Sequence, residues 1–500
     1  MAEPKAVPRT EAVFDASERG YRQHLTPRQV AMIGMGGAIG TGLFMGAGGR
    51  LHQAGPALAI SYIICGLFAF FVLRALGELI SYRPSSGSFV SYTREFFGEK
   101  WAFAIGWIYW LNWVVITIID STAVAMYLTY FGKYVPSMAT IPQWAYALCT
   151  VVLVVLLNLI SVKVFGALEF WFSLIKVLAL SVFLVLGVTL VAIGHPVAGH
   201  TPGLSLITAN GGYFPVGIAP ALVLVQGVVF AYGSIELIGT AAGEAQNPEI
   251  TVPRAINAVV TRIVVFYVGS IVVLSLLLPY TAYSAGTSPF VTFFAAIGLK
   301  GADGVMNLIV LTAALSSLNA GLYSTGRTMR SLAAGGSAPK FTIKMTKSGV
   351  PWGGLLMTAG AAMLGALLNY AIPAAAFEIA LNIDAIILLL TWTSIIACHI
   401  RLRALTTRGK IKTPAFRMPA APFTAWATLG FFVVVLVLML FDTKGVGRST
   451  ILWSLLLIPA LVCGWVIARP RTAVISDAPK MKRGIHPRHF ANNEIRMPPV

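Results

Sequence analysis

Apolar runs long enough to cross a bilayer recur along this chain between residues 29 and 468. Ile60 to Leu73, Tyr146 to Ile160 and Ala425 to Phe441 reach or approach spanning length once their neutral flanks are counted. Inside hydrocarbon every peptide group must find an internal partner, and segments of this length do so by coiling into helices. Hydrophobic residues make up 57% of the 500-residue chain and charged residues 11%, too few charges to cover a water-soluble surface. The expected fold class is therefore an all-α integral membrane protein, with the lipid bilayer as its first partner.

Twelve spans are expected, near 29–53, 56–80, 101–131, 143–161, 166–193, 216–243, 255–279, 304–333, 352–371, 376–400, 422–441 and 450–468. Pro and Gly punctuate most of the connections, as at Gly55-Pro56, Pro142, Pro253 and Pro351. The net charge of +18 does not point to nucleic acid, because the basic residues lie in alternate loops. Of 36 Lys and Arg, only Arg50, Lys133, Lys300, Lys444 and Arg448 fall in loops on one side, and Arg74 and Lys176 lie within spans. That bias puts both termini in the cytoplasm. The segments follow: a cytoplasmic 1–28, a core over 29–402, a basic loop at 403–421, two further spans over 422–468 and a cytoplasmic tail at 469–500. The tail residues Lys480, Lys482, Arg483 and Arg488 obey the same bias, with contact to anionic lipid as the other reading. The N-terminal segment carries no apolar h-region, so the first span is the expected insertion signal.

Two spans break the helical pattern. The first reads Gly34-Met35-Gly36-Gly37-Ala38-Ile39-Gly40-Thr41-Gly42-Leu43-Phe44, a small-residue cluster at mid-depth. Unwinding there would open a second half-helix whose amides and dipole suit a carboxylate, while carbonyls of the first half face an ammonium group. Close helix packing through Gly36 and Gly40 is the alternative. The sixth span reads Val228-Val229-Phe230-Ala231-Tyr232-Gly233-Ser234-Ile235-Glu236, again with small and polar residues in mid-helix. Interrupted helices at corresponding positions of two halves, here 29–193 and 216–402, point to an inverted-repeat transporter with a midplane site. One break offers amides and the other carbonyls, which together match a zwitterion such as an amino acid.

These segments resemble the amino acid permease family of the amino acid–polyamine–organocation superfamily. The motifs that carry the resemblance are Gly36 to Phe44, Arg74-Ala75-Leu76-Gly77-Glu78, Phe230 to Ile256, and Asn319 to Pro339. It extends over roughly residues 20 to 470. Within the family, the stretches 83–100, 169–177, 288–298 and 311–327 are most similar to its asparagine-transporting branch. The resemblance implies a five-plus-five inverted-repeat core followed by two C-terminal helices, in a plasma (bacterial inner) membrane. It implies a substrate carboxylate at Thr41 and Gly42, in the break that includes Ile39 and Gly40. The ammonium would rest on carbonyls of Ala38, Phe230 and Gly233, beside Ala231 and Ser234, with Phe230 as an aromatic gate.

Ionisable residues inside spans are costly and mark function by default. Lys176 matches the fifth-helix lysine that replaces a bound cation in proton-coupled relatives; a fixed salt bridge with Glu169 is the plainer reading. Glu236 is expected either to relay a proton or to brace the sixth-span break, and Asp120 either to face the substrate side chain or to join two helices. Arg74 and Glu78, spaced i and i+4, are expected to pair within one helix. Glu244, Glu249 and Arg254 are expected to brace an inner gate. Asp384 has no place in the family pattern beyond lining a polar cavity.

Cys65, Cys149, Cys398 and Cys463 all fall in apolar spans without metal spacing, and no nucleophile elbow or phosphate loop occurs. The expectation is a transporter rather than an enzyme, with no cofactor and no metal. The proton motive force would drive import of L-asparagine by symport with alternating access. Exchange, sodium coupling, another amino acid and a sensor that binds without transport remain the alternatives, and oligomeric state is open.

Overall fold

Periodicity of 3.6 is absent from most of these segments because they are apolar all round, as helices bathed in lipid or buried in a bundle must be. The computed structural model describes residues 13, 16–18, 21, 25–372, 376–441 and 447–477, without the side chains of 35–38, 259–263 and 473–477. The basic tail at Lys480, Lys482, Arg483 and Arg488 lies outside them, as does the side chain of Ala38.

The first span is three helices: α1 (Pro27–Ala38), α2 (Thr41–Phe44) and α3 (Gly46–Ala54). They are followed by α4 (Leu58–Tyr82), α5 (Ser88–Phe97), α6 (Glu99–Tyr130), α7 (Gln143–Ile160) and α8 (Val162–Ile193). The sixth span is again three pieces, α9 (Ala219–Val223), α10 (Val225–Ala231) and α11 (Leu237–Ala242). Then come α12 (Pro248–Arg262), a π-helical turn at Ile263–Val268, α13 (Gly269–Leu277), α14 (Pro289–Ala296) and α15 (Ala302–Ala334). The chain ends with α16 (Trp352–Ala362), α17 (Leu364–Ala371), α18 (Ala376–Thr407), α19 (Phe423–Phe441), α20 (Gly447–Ser454) and α21 (Leu457–Asp477). Among the described residues only isolated bridges, Leu25 to Ala245 and Val197 to His200, pair in the manner of strands.

Nine helical stretches among the described residues are long and apolar enough to cross a membrane. The chain is a multi-pass membrane protein. Burial sorts these helices into centre and rim. The apolar windows of α15 and α18 are each 72% buried within the protein and that of α6 is 67%, whereas α8 is at 28% and the last stretch, Gly447–Thr472, at 6%. α6, α15 and α18 thus form the middle of the bundle, and the final stretch turns its side chains to lipid. The short helix α2 sits at this middle, touching α6, α10 and α15.

Candidate functional site

Both expected breaks exist. Gly40 between α1 and α2 is extended, at φ −116° and ψ −163°, which ends one helix and starts the next. The first-turn amides of α2, from Thr41, Gly42 and Leu43, have no partner earlier in their own helix. In the sixth span the chain turns through Tyr232 to Glu236, with Ser234 in the left-handed region at φ 69°. A non-glycine residue at that φ costs about 1–2 kcal/mol, which the surrounding packing must hold in place. The Phe230 carbonyl accepts from the Gly233 amide at 2.9 Å, so one of its lone pairs is used by the turn.

The two breaks touch. A methyl group on Gly42 would lie 2.6 Å from Cα of Ala231 and 3.0 Å from Cδ1 of Phe230. Glycine is required there because backbone meets backbone. Ile39, Thr41, Phe230, Ala231 and Ser234 are all buried around this contact.

Polar side chains converge on the first break from α6. The Thr41 hydroxyl donates to Asp120 Oδ1 at 2.8 Å, across 79 residues of sequence. Asp120 thus joins α6 to α2 at the first break. On the other side of α1, Lys176 donates to Ser316 Oγ at 3.0 Å, and Ser316 donates to Glu169 Oε1 at 2.7 Å. Asn319 extends the string to Glu169 Oε2 at 3.4 Å, and Asn158 donates to Asn319 Oδ1 at 2.8 Å. Ser173 anchors α8 to the Met32 carbonyl of α1 at 3.1 Å. Lys176 lies where the charges of both Glu169 and Asp120 act on it. Buried charges of this kind are tolerable only with such a supply of partners. Glu236 closes the sixth-span turn by accepting from the Trp392 indole at 3.3 Å.

The approaches from both ends are filled. Toward the α3 end, Phe44, Phe290, Phe183 and Phe293 meet in tilted and edge-to-face contacts at centroid distances of 5.1, 4.9 and 5.4 Å. Toward the α1 end, Phe165 stacks on Tyr323 at 3.9 Å, and Arg327 pairs with Glu244 Oε1, which also accepts from Tyr323 at 3.1 Å. The N-terminal segment seals this end: Leu25 donates to the Glu244 carbonyl at 3.1 Å, and Glu18 accepts from the Ser86 amide at 3.0 Å. Burial raises the Glu18 carboxyl above the ordinary range, against the lowering effect of its hydrogen bonds to Ser85, Ser86 and Gly87. An apolar recess lies apart, between α6 and α21, with Phe103, Trp107, Leu111 and Leu461 in its lining. So apolar a lining suits lipid and has little to hold a zwitterion.

The amino acid permease family model matches residues 29–473, which takes in both breaks and the polar residues gathered around them. The chain belongs to the amino acid permease family. The permease is 54% identical to L-asparagine permease 1 of Mycobacterium tuberculosis (strain CDC 1551 / Oshkosh), over 92% of this chain and 93% of that one. It is 53% identical to the L-asparagine permease of Escherichia coli (strain K12) over 93% of each chain. With the L-asparagine permease of Streptomyces coelicolor the figures are 50%, 92% and 93%.

Three residues of the permease stand elsewhere than their sequence suggests. Glu78 does not form an ion pair with Arg74: it accepts from Arg403 Nη2 at 3.0 Å and from the Met418 amide at 2.8 Å, with His399 Nε2 at 3.0 Å. Arg74 instead donates to Asn257 at 2.9 Å and to the Arg417 carbonyl, and stacks on Phe416. Arg50, counted with the outer loops, is buried on α3 and donates to the Gly46 carbonyl at 2.7 Å. Its guanidinium fits because Gly46 and Gly227 lack side chains; a methyl at Gly227 would meet Arg50 Nε at 2.6 Å. Those glycines were the available signal for Arg50. Among the described residues no three His, Cys, Asp or Glu converge as a metal site.

The Glu244–Arg327 pair is 2% exposed on each side. Replacing Arg327 with Met strands a buried carboxylate and is expected to destabilise the closed form by about 3–5 kcal/mol. The check is the unfolding midpoint in detergent, with Glu244→Gln/Arg327→Met expected to recover part of the loss.

Proposed function

We propose that the permease imports L-asparagine across the plasma membrane by proton symport, alternating between outward- and inward-open forms. The observation that carries this reading is the contact of the two broken spans at Gly42 and Ala231. A zwitterion fits between an α2 start that presents amides and an α10 end that presents carbonyls. Thr41 and Gly42 take the carboxylate, with Ile39 and Gly40 shaping the turn. Ala38, Phe230 and Gly233 offer carbonyls to the ammonium, flanked by Ala231 and Ser234, and the Phe230 ring closes over the site. Asp120, already bonded to Thr41, is placed for the side-chain amide. The asparagine assignment draws on the relatives of the same name at 50–54% identity.

Twelve spans make up this transporter, although nine stretches qualify by length and apolarity. The other three are the interrupted ones: α1 to α3, α9 to α11, and α12 to α13 with its π-helical turn. Five plus five spans form the inverted-repeat core and two follow. An even number of spans puts both termini on one side, the Lys and Arg bias makes that side cytoplasmic, and the Glu244–Arg327 end is the inner gate. Lys176 carries the coupling proton. Charged, it holds the Ser316–Glu169 string and the end of α1; neutral, it releases them. Glu236 steadies the sixth-span break beside it.

Purified protein in proteoliposomes tests this directly. Labelled L-asparagine should accumulate under an inward proton gradient with sodium absent, and unlabelled L-asparagine should compete best in a panel of amino acids. Accumulation that needs sodium, or counterflow without proton movement, rejects symport; a better competitor rejects the substrate.

A further inference from the structure

Asp384 stands on α18 with its side chain fully buried at 0% exposure. Among the described residues it makes one hydrogen bond, from the Asn112 Nδ2 of α6 to its Oδ1. Two atoms of this pair then have no partner among the described residues, Asp384 Oδ2 and Asn112 Oδ1. Both are acceptors when the carboxyl is ionised. Asn112 is itself 0% exposed, so water does not make up the deficit at the surface. The titratable groups whose charges act on Asp384 are Glu236, in the turn after α10, and Asp120, two turns along α6 from Asn112. Both are carboxyl groups, and no described Lys, Arg or His makes an ion pair with Asp384. An ionised carboxylate here would combine desolvation, like-charge neighbours and an orphaned amide oxygen beside it, all of them unfavourable.

We propose that Asp384 is a proton-binding site, whose proton closes a two-hydrogen-bond pair with Asn112. One proton on Oδ2 removes all three penalties. The acid becomes neutral, its hydroxyl donates to Asn112 Oδ1, and Asn112 Nδ2 continues to donate to Oδ1. A carboxylic acid and a primary amide are complementary in this way, one donor and one acceptor each. A metal cation is the poorer fit, because Asn112 already directs an N–H at Asp384 Oδ1. α18 packs against α10 as well as α6. The protonated pair therefore ties the sixth-span half-helix, through α18, to the centre of the bundle, and does so whichever amino acid is carried.

Infrared difference spectroscopy of the purified protein in potassium buffer tests it. The wild type should show the carbonyl band of a protonated carboxylic acid, sensitive to deuterium exchange, that Asp384→Asn removes. The exchanged pair Asn112→Asp/Asp384→Asn, which returns one acid to the same place, should restore a band. If Asp384→Asn does not fold, Asp384→Glu keeps an acid there and must shift the band. Identical spectra for wild type and Asp384→Asn overturn the proposal. So does a wild-type band that vanishes when sodium replaces potassium, since the site would then hold a cation.

Discussion

Gly42→Ala is expected to abolish asparagine accumulation while leaving the protein folded in the membrane. The added methyl would stand 2.6 Å from Cα of Ala231 and 3.1 Å from its amide nitrogen, and backbone cannot swing aside as a side-chain tip can. Forcing such an overlap costs about 1–3 kcal/mol. The methyl also projects into the space between the two breaks that the substrate must enter, and an overlap of that size lowers affinity roughly ten- to hundredfold. Gly430→Ala is the matched control, because a methyl there meets nothing within 4 Å. Binding of labelled L-asparagine to purified protein should be unchanged in the control and lost in Gly42→Ala. Wild-type affinity in Gly42→Ala would mean that the substrate sits away from this contact.

Lys176→Met should separate coupling from passage. In a one-proton symporter each unit of pH gradient supplies about 1.36 kcal/mol, enough for about tenfold accumulation. Without an ammonium on Ser316 the proton has no station between α8 and α15, and accumulation should fall to simple equilibration at every gradient. Counterflow of labelled against unlabelled asparagine should survive within a few-fold, because Met keeps the length and packing of the lysine stem. Gradient-driven accumulation equal to wild type would place the coupling proton elsewhere.

What could be read from the chain divides along a physical line. Backbone events were legible, since a glycine run at mid-depth has few uses, and the breaks at Gly40 and at Tyr232 to Glu236 fall inside the segments that announce them. The left-handed Ser234 was not, because serine carries no signature for positive φ. Side-chain partners were legible only as local guesses. The Arg74–Glu78 spacing predicts an intrahelical pair, but Glu78 faces α18 and the segment after it, where Arg403, His399 and the Met418 amide outbid one half-buried arginine. The Thr41–Asp120 bond and the Lys176–Ser316–Glu169 string join helices far apart in sequence, set by rotations that no single chain reveals. Nine stretches among the described residues qualify as spans by length and apolarity, and the three other expected segments lack a continuous apolar helix: the two that carry the candidate site and the one with a π-helical turn.

A structure of the purified permease determined with saturating L-asparagine bears most directly on the central claim. The account predicts the amino acid between α2 and α10, its carboxylate on the Thr41 and Gly42 amides and its ammonium on carbonyls of Phe230 and Gly233, with Gly42 and Ala231 moved apart. Bound asparagine at any other place, with Gly42 still packed on Ala231, would contradict it.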